Sequence, residues 1–167
     1  WLVFLDKSKA QLYLVNDHFG LLPCYYILQD QVLSISDSLK RLKNIDGIKL
    51  SISEQALFNY MYFHCVPSPK TIFEQVSKLE PGKAVLFDPA MQRREELFYQ
   101  PEFSQQLKQS QQQHDSCLDM LDKAVSKHRR EDCGAFLSGG VDSSSVVGML
   151  SRQESSAKTF SVGFNAK

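Results

Sequence analysis

The hydrophobic pattern of this chain changes period once, and that change limits the folds open to it. Up to residue 99 the apolar residues come in strand-length runs, at 2–5, 12–15, 24–28, 32–36 and 84–87. Beyond residue 115 they recur every three or four positions, at Leu118, Leu121, Val125 and His128, the spacing of one helix face. Strand, loop, helix and strand signals follow in that order. A β-rich antiparallel part followed by an α/β part is the expectation, rather than one sheet or one bundle.

Within the first part, the polar stretches at 6–9 and 29–31 read as turns between paired strands. The runs at 2–5 and 24–28 are apolar at nearly every position, which predicts strands covered on both faces, as in layered sheets. A short helix is expected from Asp37 through Leu39 and Leu42. A second is expected from Ser51, where Ser51 and Glu54 have the spacing of a capping box. Its apolar face would be Ala56, Leu57, Tyr60 and Met61, with Phe58, Tyr62 and Phe63 as core or loop anchors. Pro67 and Pro69 forbid any continuation of that helix. Glu80-Pro81-Gly82-Lys83 reads as a turn, and 96–99 as a last strand.

The segment 100–113 is half glutamine, seven of fourteen residues, and opens on Pro101; residues 100–114 read as a linker between domains 1–99 and 115–167. Charge excludes a single-sign electrostatic partner. Residues 1–99 carry 11 basic and 11 acidic groups and residues 100–167 carry 8 of each, so neither nucleic acid nor an anionic membrane surface is expected. No run reaches the 18 or so apolar residues of a membrane span. The chain opens Trp-Leu-Val-Phe-Leu-Asp, which reads as a strand entered midway and predicts a piece of a longer protein. Cys24, Cys65, Cys117 and Cys133 lack zinc-site spacing and read as reduced, part-buried thiols of a cytoplasmic protein.

In the second part a helix is expected over 115–130, with Asp119 and Asp122 early and Lys127, Arg129 and Arg130 late, as the helix dipole favours. Strand 135–137, loop 138–143, helix 144–150 and strand 159–164 then open a parallel sheet. The loop, Ser138-Gly139-Gly140-Val141-Asp142-Ser143, carries the chemistry. Two glycines let bare N–H groups approach a ligand, and the following helix aims its unpaired N–H groups at the same place. The hydroxyls of Ser138, Ser143 and Ser144 add donors. Asp142 would repel phosphate unless a divalent cation lies between, and Mg²⁺ is held in this way. Neither GxxxxGK[ST] nor GxGxxG is present, so the Walker and dinucleotide patterns both fail. The plainer reading is a capped strand-to-helix turn that binds nothing.

The loop resembles the SGGxDS pyrophosphate loop of the N-type ATP pyrophosphatases, which cleave ATP between its α and β phosphates to adenylate a carboxylate. Within that group the chain is most similar to the glutamine-dependent asparagine synthetases. Residues 17–26 resemble the family's D[RH]xGxxPLYY stretch, 66–73 with 78–82 its VPxPxTIF…KLxPG segment, and 134–138 and 159–164 the strands around its nucleotide site. Cys24 stands where the family usually has Leu. The resemblance implies the C-terminal part of an antiparallel αββα-type (Ntn) glutaminase domain followed by the start of a parallel-sheet, Rossmann-like ATP pyrophosphatase domain, α/β in class.

The resemblance also implies that Leu137 and Val162 contact adenosine and that Ser138, Gly139, Gly140, Asp142 and Ser143 hold pyrophosphate. Asp142 would place Mg²⁺ and so act in catalysis. ATP, aspartate or a similar carboxylate, and glutamine would be the small-molecule partners, and a homodimer is left open. The family's glutaminase nucleophile is an N-terminal Cys, whereas position 1 here is Trp1; these 167 residues alone are expected not to hydrolyse glutamine. Two other readings stay open. One is the same fold with another acceptor, as in enzymes that close β-lactams or lasso peptides or modify polysaccharides. The other is a non-catalytic nucleotide-binding scaffold. His18 reads as a satisfied turn histidine or a domain-interface contact, and His64 with Cys65 as packing rather than a nucleophilic pair.

Overall fold

A computed structural model describes residues 1–103, 111–131, 133–153 and 157–164, apart from the side chains of 111–114. The chain divides into two compact units, Trp1–Phe103 and Ser104–Lys167. Half of the expected linker, 104–110, lies outside the described residues.

In chain order the first unit runs β1 (Leu2–Asp6), β2 (Gln11–Val15), β3 (Tyr25–Gln29), β4 (Val32–Ser36), α1 (Leu39–Lys43), α2 (Glu54–Phe63), β5 (Ser77–Lys78), β6 (Lys83–Phe87) and β7 (Arg93–Leu97). Two antiparallel sheets result, of order β1-β2-β6-β7 and β4-β3-β5. Turn chemistry sets the hairpins. The Asp6 carboxylate accepts the Ser8 N–H at 2.9 Å and the Ser8 hydroxyl at 2.6 Å, folding the chain between β1 and β2. Asp30 and Gln31 both take positive φ, 51° and 61°, the two-residue loop whose twist matches that of the flanking strands.

Leu14, Val85 and Phe87 of the four-stranded sheet pack against Cys24, Tyr26 and Leu79 of the smaller sheet and its flanks. The Tyr26 and Phe87 rings meet edge to face at 5.9 Å. Because alternate residues of a strand face opposite ways, Ile27 next to Tyr26 lies in a second cluster with Leu42 of α1 and Val76. β3 is therefore covered on both faces, as its apolar run predicts. β1 is not: Leu2, Val3, Phe4 and Leu5 are all exposed despite an equally apolar run. Buried polar groups are paired. The Asn16 side chain donates to the Leu79 carbonyl at 3.0 Å, and the Thr71 hydroxyl bonds the Val76 carbonyl at 2.9 Å.

The second helix departs from expectation in two respects. Its N-cap is Ser53, whose hydroxyl accepts the Ala56 N–H at 3.3 Å. Ser51 does not cap it; its hydroxyl donates to Glu74 at 2.9 Å, and its N–H goes to Gln75 at 2.9 Å. Of the expected apolar face only Ala56 is buried, while Leu57, Tyr60 and Met61 are exposed, as are Phe58, Tyr62 and Phe63. The helix ends as the prolines require, at His64 in the left-handed conformation (φ 56°). The last strand also lies earlier than expected, at Arg93–Leu97, because the open edge of β6 supplies backbone partners to a charged segment with no apolar alternation of its own. His18 is exposed and sits edge-on to Tyr99 at 4.3 Å within this unit. All four cysteines are free; Cys24 is buried, but Cys65 and Cys117 are exposed rather than part-buried.

The second unit contains α3 (Gln111–His128), β8 (Gly134–Phe136), α4 (Val141–Gln153) and β9 (Lys158–Phe160). β8 and β9 pair in parallel, with α4 between them in the chain. α3 begins four residues before Asp115, inside the stretch read as linker. The side chain of Gln153 donates to the Asp122 carbonyl and carboxylate at 3.2 and 2.9 Å, tying the end of α4 to α3. Met149 and Leu150 are this unit's buried apolar residues among those described. No helix of the described residues is long and apolar enough to cross a membrane.

Candidate functional site

The glycine-rich segment lies where β8 hands over to α4. α4 starts at Val141, three residues earlier than the sequence predicts, so Asp142 and Ser143 belong to its first turn. The early start follows from Gly140, whose carbonyl accepts the Ser144 N–H at 3.1 Å, the first helical bond. A helix start leaves its first N–H groups without intrahelical partners. Here the N–H groups of Gly139, Gly140, Val141, Asp142 and Ser143 make no hydrogen bond among the described residues. Those of Val141, Asp142 and Ser143 lie in the first turn of a 13-residue helix, at its positive end.

Gly139 has φ +85°, a conformation costly for any residue with a Cβ, and a Cβ built there would meet nothing within 4 Å. A Cβ on Gly140 would meet only the Ser138 hydroxyl, at 3.6 Å. Among the described residues the space over Gly139 is open, and only the Ser138 hydroxyl borders that over Gly140.

The serines divide their labour. Ser143 folds back into the loop: its hydroxyl donates to the Gly140 carbonyl at 3.2 Å, accepts the Ser138 N–H at 3.2 Å, and lies 3.0 Å from the Ser138 hydroxyl. In the bond between the Ser138 and Ser143 hydroxyls either oxygen can be the donor. Both hydroxyls bond within the loop, beside backbone N–H groups that have no partner among the described residues. Ser144 contributes its N–H to the helix, and its hydroxyl has no partner among the described residues. Sequence reasoning treats Ser138, Ser143 and Ser144 as equivalent donors and misses the Ser143 clasp, which depends on how the side chain is turned.

Leu137 is held on both sides of its peptide unit. Its N–H donates to the Phe160 carbonyl at 2.8 Å, and its carbonyl accepts the Ser161 hydroxyl at 2.8 Å. Val162 follows directly and is 80% exposed. β9 ends at Phe160, so Val162 lies beyond the strand, not within it as expected from the sequence. Leu137, Val162 and the loop share the carboxyl ends of the two parallel strands, the edge at which open α/β sheets bind ligands. Asp142 is an exposed carboxylate in the first turn of α4. Among the described residues no three His, Cys, Asp or Glu side chains gather to form a metal site. A single exposed carboxylate beside unpaired N–H groups fits the donor set Mg²⁺ would need, since that ion takes one or two carboxylates and completes its shell with phosphate oxygens and water.

Residues 1–99 match a family model described as a glutamine amidotransferase domain, and residues 116–167 match one described as asparagine synthase. The chain belongs to the asparagine synthetase family. Asparagine synthetase [glutamine-hydrolyzing] 1 of Bacillus subtilis is 35% identical over 166 residues, covering 95% of this chain and 25% of that protein. The putative asparagine synthetase [glutamine-hydrolyzing] 2 of Methanocaldococcus jannaschii is 31% identical over 170 residues, 97% of this chain and 33% of its own length. A third relative, amidase chry2 of Gibberella zeae, is 26% identical over 155 residues. The chain spans at most a third of the length of these asparagine synthetase relatives.

Proposed function

We propose that the complete protein carrying this chain is a glutamine-hydrolysing ligase of the asparagine synthetase type. Residues 1–99 belong to its Ntn-type glutaminase domain and residues 115–167 to its Rossmann-like, ATP-using domain. In this reading a carboxylate substrate, aspartate foremost, attacks the α-phosphorus of ATP. The bond from that phosphorus to the bridging oxygen breaks, giving an acyl-adenylate and pyrophosphate. Ammonia released from glutamine then attacks the acyl carbon, AMP leaves with the bonding pair, and an amide remains. The setting is cytoplasmic, in keeping with free thiols.

The observation that carries this reading is the set of five N–H groups, unpaired among the described residues, along the two glycines and the head of α4. Such donors are fixed in place before reaction and face the oxygens on which charge develops as pyrophosphate departs, which is how an oxyanion site lowers a barrier. The Ser143 clasp keeps them in that geometry. Asp142 would hold Mg²⁺, which when bound would neutralise charge on the departing pyrophosphate. Leu137 and Val162 flank the adenosine.

Isotope exchange between ATP and pyrophosphate in the complete protein tests the assignment. Asp142→Ala is expected to abolish exchange, and undiminished exchange would overturn the role given to Asp142. Mg-ATP binding without any exchange in the wild type would instead favour a nucleotide-binding scaffold. A second reading, the same chemistry on another acceptor, gains some support from the relative named an amidase. It predicts exchange that depends on a carboxylate other than aspartate.

A further inference from the structure

The end of β9 is made in an unusual way. β8 and β9 pair in parallel register, Gly134 with Lys158, Ala135 with Thr159 and Phe136 with Phe160. The next rung is half normal, because the Leu137 N–H donates to the Phe160 carbonyl. In a parallel ladder the Leu137 carbonyl would then accept the N–H of Val162. It accepts the hydroxyl of Ser161 instead, at 2.8 Å, and the Val162 N–H makes no hydrogen bond among the described residues. A side chain has replaced a backbone rung.

We infer that Ser161 is a positioning residue of the nucleotide site: its hydroxyl satisfies the Leu137 carbonyl in place of Val162, so β9 parts from β8 at Val162 and leaves that residue's backbone free beside Leu137. This rests on the reading of the loop as an ATP site. The exchange of one donor for another has two effects. Leu137 stays anchored at the entrance to the loop, because both its polar groups remain paired. Val162 escapes the ladder, which keeps a gap at the carboxyl end of the strand pair where a nucleoside can lie. The phosphate end of the site has its own clasp, Ser143, which bonds Ser138 and Gly140, whereas Ser161 bonds Leu137. The two serines therefore govern different parts of the ligand, Ser161 the nucleoside and Ser143 the phosphates.

The test compares Ser161→Thr, which keeps the hydroxyl, with Ser161→Val, which has nearly the same shape and lacks it. Ser161→Ala serves as a third variant, and all are made in the full chain. Calorimetric affinities for Mg-ATP and for Mg-pyrophosphate are measured beside amide exchange at Val162 by NMR. Ser161→Thr is expected to match wild type. Ser161→Val and Ser161→Ala are expected to weaken ATP about fivefold, the worth of one hydrogen bond, and to leave pyrophosphate within twofold. General damage to the unit would weaken both ligands alike. The Val162 N–H should exchange freely in wild type and at least tenfold more slowly in Ser161→Val, where it takes over the rung. Equal ATP affinity in the Thr and Val variants, or unslowed exchange at Val162, overturns the inference. A wild-type chain that binds neither ligand overturns the reading of the loop instead, and the exchange measurement still decides whether Ser161 displaces the backbone rung.

Discussion

Replacing Gly82 by alanine should cost far more than replacing Gly47, although both glycines have positive φ, +66° and +85°. A Cβ on Gly47 would meet nothing within 4 Å, so Gly47→Ala carries only the penalty of a left-handed alanine, about 1 kcal/mol. A Cβ on Gly82 would lie 2.2 Å from the Tyr99 carbonyl oxygen and 3.3 Å from the Tyr99 Cβ. Ordinary contact is nearer 3.5 Å, so the chain at Tyr99 must retreat by roughly 1 Å. That retreat breaks bonds, because the Gly82 carbonyl accepts the N–H groups of both Phe98 and Tyr99, at 3.0 and 3.2 Å. Each is worth about 1 kcal/mol. Adding the left-handed penalty, Gly82→Ala should lose about 3 kcal/mol, some 2 kcal/mol more than Gly47→Ala. Any gain from a stiffer unfolded chain is common to both and cancels in the difference. Urea unfolding followed by Trp1 fluorescence isolates the first unit, since Trp1 is the only tryptophan and packs on its core. Equal losses within about 0.5 kcal/mol, the scatter of neutral surface changes, would refute the idea that Tyr99 is pinned over Gly82.

Two further outcomes concern the same unit. Ser53→Ala should lower stability by about 1 kcal/mol in the urea assay and Ser51→Ala by clearly less, because Ser53 caps α2 whereas Ser51 bonds an exposed glutamate; the reverse order would restore the capping box at Ser51. Burial pushes the Cys24 thiol up to about 11 from 9.0, so at pH 8 it should react with a disulfide reagent far more slowly than exposed Cys65 and Cys117. A raised folded-state pKa means that the neutral thiol's contribution is intact below pH 9 and is lost as pH climbs through 11, so a Cys24→Ala chain should show a flatter stability profile across that window.

Local chemistry made several elements legible in the sequence, and long-range partners hid the rest. The glycine pair between an apolar strand and an amphipathic run marked where the strand hands over to the helix, since no residue with a Cβ adopts φ +85° cheaply and helix starts always leave N–H groups free. The start of α4 at Val141 was not legible, because Val141 and Asp142 read equally well as loop. Ser51 and Ser53 both stand ahead of the same helix, and the local pattern favours Ser51; what removes Ser51 is Glu74, 23 residues on, which no window around the helix contains. β7 carries the sequence Arg-Arg-Glu-Glu-Leu and has no apolar alternation; it is a strand because β6 has an edge to offer. The periodicity of α2 correctly marked a helix, but period alone cannot say whether anything covers the face it defines. The roles of Ser143 and Ser161 were equally hidden, since a motif records residue types and not the direction in which a hydroxyl turns.

The bond network around Ser143 has a thermodynamic consequence for whatever enters the loop. Because Ser138, Gly140 and Ser143 are already tied to one another, the conformational freedom of the loop is surrendered when the chain folds rather than when a ligand arrives. An anion bound there, as proposed above, would meet a receptacle already ordered, and little of its contact energy would be diverted into ordering the backbone around it.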